Sequence, residues 1–179
     1  MKVLIDACVL YPTVLREVVL GVAEAGYFEP LWSDPILSEW RHTAERHGHG
    51  EVADLEILAA GRAFPSAVVP VERETMARLS LPDPDDVHVL AAAIDGGADE
   101  LLTLNIKDFP TNALSAEGIV RRDPDGFLLE AYHVDEVMLR DVVSRVLGRA
   151  RSHGIDVTAP RALFKRARLP RVGKALYAS

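Results

Sequence analysis

The stretch from residue 82 to residue 110, PDPDDVHVLAAAIDGGADELLTLNIKDFP, constrains the fold of this 179-residue chain more than any other. Acidic residues open the stretch, an Ala-rich apolar segment follows, and Gly96 and Gly97 end that segment. A short β-prone run then leads to Asn105 and Asp108. This order predicts a loop, a helix, a strand and a second loop, with oxygen ligands before the helix and after the strand. In an open parallel sheet both places lie at the rim beyond the carboxyl ends of the strands.

Strand-like and helix-like patterns alternate through the rest of the first 121 residues. Short apolar or β-prone runs predict strands within residues 3–5, 28–33, 68–71, 100–104 and 118–121. Apolar residues at helical spacing predict helices at residues 12–26, 35–47, 51–64 and 87–94. Such alternation favours a three-layer α/β/α fold with a central, mostly parallel sheet.

The last third of the chain carries helical patterns only. Turn-prone residues precede it at 122–126, and helices are predicted at residues 127–132, 135–153 and 160–168. We therefore expect two parts, an α/β domain over residues 1–126 and a helical extension over residues 127–179.

Composition places the chain among ordinary globular proteins, with 49% apolar and 26% charged residues. No apolar run approaches the roughly 18 residues that a membrane-spanning helix needs. The N-terminal residues lead straight into a strand-like run without a signal-peptide pattern. A single cysteine, Cys8, excludes an internal disulfide and fits a reducing compartment. We therefore expect a cytoplasmic protein without a membrane span.

Charge is unevenly spread along the chain. Residues 140–179 hold ten Lys/Arg and two acids, a balance of +8, whereas residues 1–139 have a balance of −15. A basic segment of this kind is either a solvated helical face or an arm that binds phosphates. The candidate RNA contacts of such an arm are Arg145, Arg149, Arg151, Lys165, Arg166 and Arg168.

Two acids are the strongest candidates for a functional site. Asp6 ends the first predicted strand, which is the usual place for a functional residue in a doubly wound sheet. Asp86 lies in the first turn of the helix predicted at residues 87–94, on the same face as the apolar Val89 and Ala93. A carboxylate on an inward face is costly unless it is paired or binds a metal ion.

Further polar residues are expected near the same rim. Glu39 lies near the start of the second predicted helix, where the helix dipole alone would favour an acid. Asn105 and Asp108 follow the β-prone run, where they could equally stabilise a turn. Thr103 and Asp85 are expected to support the ligands, one of Asp83 and Asp85 is expected to cap the helix, and His88 is expected to be exposed.

Several acids at one rim repel one another, and a bound hard cation usually compensates their negative charge. Carboxylate and amide oxygens without clustered Cys or His indicate Mg²⁺ or Mn²⁺ rather than Zn²⁺. Ions of this kind can activate water and stabilise the leaving oxygen of a phosphodiester. The residues alone therefore predict a metal-dependent phosphodiesterase site.

The motifs LIDACVLYP, LSEW and the stretch at residues 82–110, in this order, resemble the PIN-domain ribonucleases, and in particular the VapC-like toxin components of toxin–antitoxin pairs. The resemblance covers about residues 1–121. It implies an endoribonuclease that uses Mg²⁺ or Mn²⁺, with Asp6, Glu39 and Asp86 as the first three members of an acidic quartet. At the fourth position this chain has Asn105 where many members have Asp, and Asp108 follows three residues on. The number of metal ions bound, one or two, therefore stays open.

The resemblance also implies partners. RNA is the expected substrate, and a small antitoxin that blocks the site, commonly with a basic side chain, is the expected protein partner. A homodimer is compatible with the sequence, which does not fix the oligomeric state.

Two other functions remain open at this point. One is aspartyl-phosphate chemistry, with Asp6 as the nucleophile and Lys107 on the phosphate. The haloacid-dehalogenase-like phosphatases carry a second Asp two residues after the nucleophile, however, and this chain has Cys8 there. The other is a non-catalytic module that binds RNA or protein.

Overall fold

A four-stranded, all-parallel sheet forms the centre of the fold in the computed structural model, which describes residues 1–177. The strand order is β2-β1-β3-β4. The strands are β1 (Lys2–Ile5), β2 (Glu29–Leu31), β3 (Glu100–Leu102) and β4 (Val120–Arg122). In the register of β1 and β3, Ile5 is the partner of Leu102, so both strands end at the same level. The predicted α/β/α class with a parallel sheet is confirmed.

Helices account for most of the remaining described residues. In chain order they are α1 (Ala7–Leu10), α2 (Thr13–Glu24), α3 (Asp34–Arg46), α4 (Gly50–Ala63), α5 (Arg73–Arg78), α6 (Val87–Asp95), α7 (Thr111–Ala116), α8 (Pro124–Val134), α9 (Glu136–Ser152), α10 (Pro160–Arg166) and α11 (Pro170–Leu176). A 3₁₀ turn, Pro84–Asp86, precedes α6. None of the helices within residues 1–177 has the length and apolar content to cross a lipid bilayer.

Internal contacts divide the chain into two compact units. The first, here called the sheet unit, contains Met1–Tyr11 and Phe28–Arg122. The second, here called the helical unit, contains Pro12–Tyr27 together with the chain from Asp123 onward. Helix α2 therefore groups with the C-terminal helices, whereas the sequence pattern had assigned it to the α/β part. The expected division at residue 126 stays a prediction.

In the sheet unit the apolar strand β1 is buried, with Val3, Leu4 and Ile5 excluded from solvent. The Ala-rich helix α6 has a continuous buried run from Val89 to Ala93. Alanines at these positions leave little side-chain bulk between the helix and its neighbours, which allows close packing on a buried strand. Close packing of α6 fixes the position of the polar residues that precede it.

In the helical unit α2 packs closely against α9. A Cβ atom built on Gly21 would lie 2.7 Å from Val142 Cγ1, so this glycine permits the close approach of the two helices. Arg149 of α9 donates to Glu17 Oε2 of α2 at 2.7 Å. A second ion pair joins α8, which precedes α9, to α11, which follows it: Arg171 of α11 donates through Nε to Oδ2 of the buried Asp125 of α8 at 3.1 Å.

Two predicted features differ from the structure. The segment 68–71 forms no strand; Val68 makes only an isolated bridge with Trp32, because Pro70 has no N–H to continue a ladder. Residues 122–126, predicted as a turn, are instead the end of β4 and the start of α8, with Asp123 Oδ1 accepting from Gly126 N at 2.8 Å. The short helices α1, α5 and α11 were not predicted, since segments this short carry little periodic signal.

Candidate metal centre

The parallel register of β1 and β3 brings Asp6 beside Thr103. Asp6 N donates to Leu102 O at 3.1 Å, which extends the ladder by one residue beyond β1. Thr103 Oγ1 then donates to Asp6 Oδ2 at 2.6 Å. Asp6 is only 5% exposed and Thr103 is fully buried, so the position of this carboxylate is closely defined.

Cys8 holds the same carboxylate oxygen from a second side. Its thiol donates to Asp6 Oδ2 at 3.0 Å and its sulfur accepts from Leu104 N at 3.3 Å. Burial, and then the negative charge of Asp6, raise the pKa of the Cys8 thiol to about 12. The protonated thiol is therefore a hydrogen-bond donor and not a second acid, which gives no support to a phosphatase of the haloacid-dehalogenase type.

Asp6 immediately precedes α1 but does not cap it with its side chain. Its carboxylate instead belongs to the strand-end cluster. Among residues 1–177 both hydrogen bonds to this carboxylate go to Oδ2, and Oδ1 accepts none.

The turn before α6 positions Asp86. Asp83 is the cap of this turn, its Oδ1 accepting from Asp85 N at 2.9 Å. Asp86 ends the turn and lies partly buried at the start of α6. Asn105, from the loop after β3, donates from Nδ2 to Asp86 Oδ2 at 2.9 Å. Asp85 is exposed, and its predicted supporting role stays a prediction.

Three acids meet at this point. Single carboxylate oxygens of Asp83, Asp86 and Asp108 lie within 4.8 Å of one another. Burial, and after it the neighbouring negative charges, raise the pKa of Asp86 to about 6. Those charges belong to Asp6, Asp83, Asp108 and Glu39. A cluster of oxygen donors whose charges repel in this way fits a hard divalent cation.

Glu39 of α3 pairs with His88, which was predicted from the sequence to be exposed. His88 Nε2 lies 2.7 Å from Glu39 Oε1, and the His88 side chain is only 15% exposed. Burial lowers the pKa of His88, but the hydrogen bond and charge of Glu39 outweigh it, so the net effect raises the pKa. The prediction that His88 is exposed is wrong. No local pattern could have shown the pair, because its members are 49 positions apart.

The candidate ligands share one arrangement. Asp6, Glu39 and Asp86 each use one carboxylate oxygen in a hydrogen bond to Thr103, His88 and Asn105 respectively. Within residues 1–177 the second oxygen of each has no hydrogen-bond partner. Outer hydrogen bonds of this kind orient ligands toward a metal ion.

A cavity of about 820 Å³ opens at the cluster. Its lining includes Asp6, Glu39, Asp86 and Asn105 among the predicted site residues. Asp108 joins the group through its approach to Asp86, and Thr103 lies behind Asp6 as its donor. The remaining lining residues are Ala7, Cys8, Tyr11, His42, Thr43, Glu45 and Arg46.

The six predicted RNA-binding residues all belong to the helical unit. Arg149 is engaged with Glu17 in a salt bridge. The other five are exposed, namely Arg145, Arg151, Lys165, Arg166 and Arg168. Their exposure is compatible with a solvated face as well as with a phosphate-binding arm.

Acidic oxygen ligands at the carboxyl rim of a parallel sheet define an α/β protein with a candidate site for a divalent metal ion. The profile of the PIN domain family matches residues 2–107, more than half of the chain. The chain therefore belongs to the PIN domain family.

One curated relative is similar over a shorter region. The chain is 40% identical over 58 residues to a protein of Mycobacterium tuberculosis (strain ATCC 25618 / H37Rv) named "Putative ribonuclease VapC50". The match covers 32% of this chain and 34% of that protein, so the chain spans about a third of the relative's length. No solved structure gives a significant match.

Proposed function

We propose that this protein is an endoribonuclease that depends on Mg²⁺ or Mn²⁺ and cleaves RNA phosphodiester bonds with a metal-activated water. The observation that carries the proposal is the arrangement of Asp6, Glu39 and Asp86. In each carboxylate one oxygen is hydrogen-bonded to another side chain, and among residues 1–177 the other oxygen has no hydrogen-bond partner. A purely structural carboxylate gains most when both oxygens find donors. Membership of the PIN domain family and the similarity to a protein named as a ribonuclease support the same reaction.

Asp6, Glu39 and Asp86 would hold the ion, with Asp108 as a further anionic ligand. Asn105 donates through Nδ2 to Asp86, which leaves its amide oxygen for the site. The bound ion would supply a hydroxide near neutral pH and stabilise the charge of the leaving oxygen. Thr103 and Cys8 keep Asp6 in one orientation, and the partly buried position of Asp86 limits competing water.

The test is cleavage of a labelled single-stranded oligoribonucleotide by purified protein with Mg²⁺, with Mn²⁺ and with EDTA. Cleavage is expected with either ion and not in EDTA. Asp6→Asn should abolish it, because the best-positioned anionic ligand is lost. Asp34→Asn is the matched control, since Asp34 is an exposed acid in the first turn of α3 outside the cavity lining. Cleavage that persists in EDTA with no metal bound would exclude the mechanism.

We further propose that the protein acts as the toxin of a toxin–antitoxin pair. The similarity to a VapC-named protein and the acidic cavity support a small partner that presents a basic side chain to the acids. Induced expression should stop growth of a bacterial host, whereas the Asp6→Asn variant should not. Co-expression with the product of the adjacent reading frame should restore growth. Growth arrest by Asp6→Asn equal to that of the wild type would contradict a toxin that works by cleavage.

A further inference from the structure

The cavity has a second wall that the metal centre does not use. Helix α3 supplies Glu39 to the acids, and the same helix lines the cavity with Glu45, which is bound by Arg41, and with His42, Thr43 and Arg46. Residues three, four and seven positions apart lie on one face of a helix. These three residues, here called the α3 wall, therefore continue the face that carries Glu39. At 1.5 Å per residue, Arg46 lies about 10 Å along the helix from Glu39.

Arg46 carries the charge of this wall. Among the cavity-lining residues in the described part of the chain, it alone has a permanently positive side chain. Its Nη2 donates to Thr43 Oγ1 at 3.3 Å, and within residues 1–177 it forms no salt bridge with a carboxylate. Arg41 of the same helix differs, because its guanidinium binds Asp54 and Glu45. One arginine of α3 is thus neutralised, while the arginine at the cavity remains available to an anion.

The side chains around Arg46 make hydrogen bonds and a ring contact of their own. His42 Nδ1 lies 2.8 Å from Ser38 O, and His47 Nδ1 lies 2.8 Å from Thr43 O. A carbonyl oxygen only accepts, so in each ring Nδ1 is the donor. The Tyr11 ring packs beside His47 with 5.6 Å between ring centroids. Ordered side chains lose less conformational entropy when a ligand binds.

We propose that the α3 wall binds a backbone phosphate of single-stranded RNA, beside the phosphate that is cleaved at the metal centre, with Arg46 as the positive partner. This inference rests on the proposed nuclease function and adds the residue that holds the strand. Asp6, Glu39 and Asp86 repel an RNA strand, and a bound cation compensates them only at the scissile position. A strand that continues along the cavity therefore needs a second cation, and Arg46 is positioned about 10 Å further along α3 to supply it.

The test compares Arg46→Gln with Arg62→Gln in the full chain. Both arginines are the basic residue in the last turn of a helix of the sheet unit, α3 and α4 respectively, but only Arg46 lines the cavity. Steady-state cleavage of an end-labelled oligoribonucleotide that the wild type cuts is measured in Mg²⁺ between 50 and 200 mM salt. Arg62→Gln should match the wild type throughout.

Arg46→Gln should raise KM while kcat changes less than about twofold, because the lost contact is made equally in substrate and transition state. Losing one phosphate contact flattens the log–log salt slope by about 0.7, so the advantage of the wild type should shrink about 2.6-fold across this salt range. The Mg²⁺ concentration for half-maximal rate should not move. Arg46→Lys, which keeps the charge, should recover most of the affinity and provides the test if Arg46→Gln melts at a lower temperature.

The other outcomes show whether the proposed nuclease function or only the role of Arg46 is wrong. If wild type shows no metal-dependent cleavage, the proposed function fails, and this inference fails with it. If the wild type cleaves but Arg46→Gln and Arg62→Gln behave alike, only the inference is wrong. A shifted Mg²⁺ requirement with an unchanged KM would place Arg46 at the metal centre. Each of these results overturns the proposal.

Discussion

Asn105 donates from Nδ2 to Asp86 Oδ2 at 2.9 Å, a bond that a carboxylate at position 105 could not make. The resemblance to PIN-domain ribonucleases leads one to expect Asp at this position, whereas Asn105 offers a metal ion only a neutral oxygen. The structure gives it a second effect, because the amide orients Asp86 and adds no negative charge to a cluster that already raises the pKa of Asp86. Asn105 thus supplies the hydrogen-bond donor to Asp86, and Asp108 supplies the negative charge that many PIN-domain ribonucleases carry at the fourth position.

Asn105→Asp should destabilise the metal-free protein and increase its gain from Mg²⁺. The substitution removes a charge-assisted hydrogen bond and adds a like charge near Asp86, together of order 1–3 kcal/mol. In the presence of a cation, the added anionic ligand becomes favourable. Thermal melting in EDTA and in Mg²⁺ measures both effects. A variant that melts like the wild type under both conditions would show that the bond contributes nothing.

Asp86→Asn should have the opposite effect without metal. The amide keeps an oxygen that can accept from Asn105 but removes one of the repelling charges, so the free energy of unfolding in EDTA should stay level or rise by up to about 1 kcal/mol. Stabilisation by Mg²⁺ and the rate of cleavage should both fall steeply. Asp34→Asn is the control for a general effect of charge. A variant that melts clearly lower in EDTA, yet keeps Mg²⁺ stabilisation and cleavage, would make Asp86 a structural residue.

The raised pKa of Asp86 also predicts a pH dependence of metal-free stability. The folded protein holds this proton up to about pH 6, while an unfolded Asp releases it near its ordinary pKa of 3.8. The contribution of Asp86 to the free energy of unfolding is therefore fully present below about pH 4 and is lost as the pH rises through about 6. The loss should be about 1 kcal/mol, since solvent screens a group this exposed. The difference in melting temperature between Asp86→Asn and wild type in EDTA should grow from pH 4.5 to pH 7. A difference that is constant with pH would contradict the raised pKa.

The basic residues of the helical unit are best tested by point substitution. Combined replacement of Arg145, Lys165 and Arg166 by Gln should flatten the salt dependence of RNA binding by up to about 2 in log–log slope, if all three contact phosphates. Binding is measured by fluorescence anisotropy in EDTA. Arg62→Gln, which changes one exposed charge of the sheet unit, is the comparison. An unchanged slope in the triple variant would identify this surface as a solvated helical face.

Gly21→Ala should destabilise the helical unit, because the new methyl group would lie 2.7 Å from Val142 Cγ1. Overpacking costs about 1–3 kcal/mol, which exceeds or cancels the gain of up to about 1 kcal/mol in helix propensity. Adding Val142→Ala should recover part of the loss. Gly148→Ala in α9 is the control, since nothing lies within 4 Å of its added Cβ and it should stabilise slightly. Equal melting temperatures for Gly21→Ala and Gly148→Ala would exclude a tight contact.

Local patterns in the sequence were sufficient to predict the four strands and the rim, although they also predicted a strand at residues 68–71 that does not form. Asp6 could be predicted because it directly follows an apolar strand, and Asp86 because a proline-rich turn and an Ala-rich helix surround it. These features depend on residues a few positions apart, where strand and helix periodicity is readable.

The pairings within the site could not be predicted in the same way. The bond between His88 and Glu39, and that between Asn105 and Asp86, join different elements and depend on how α3 and the loop after β3 are placed. The grouping of α2 with the C-terminal helices was missed for a related reason. An amphipathic helix shows in its sequence that it has an apolar face, but not which partner covers that face.

The grouping of α2 with α9 has a consequence for the order in which the protein can fold during synthesis. The ribosome releases α2 roughly 120 residues before α9, which at typical elongation rates is on the order of ten seconds. During that interval α2, whose Leu15, Val18 and Val22 are buried in the finished protein, lacks its contact with α9 at Gly21. We expect the nascent chain to need chaperone protection at this segment until the C-terminal helices emerge.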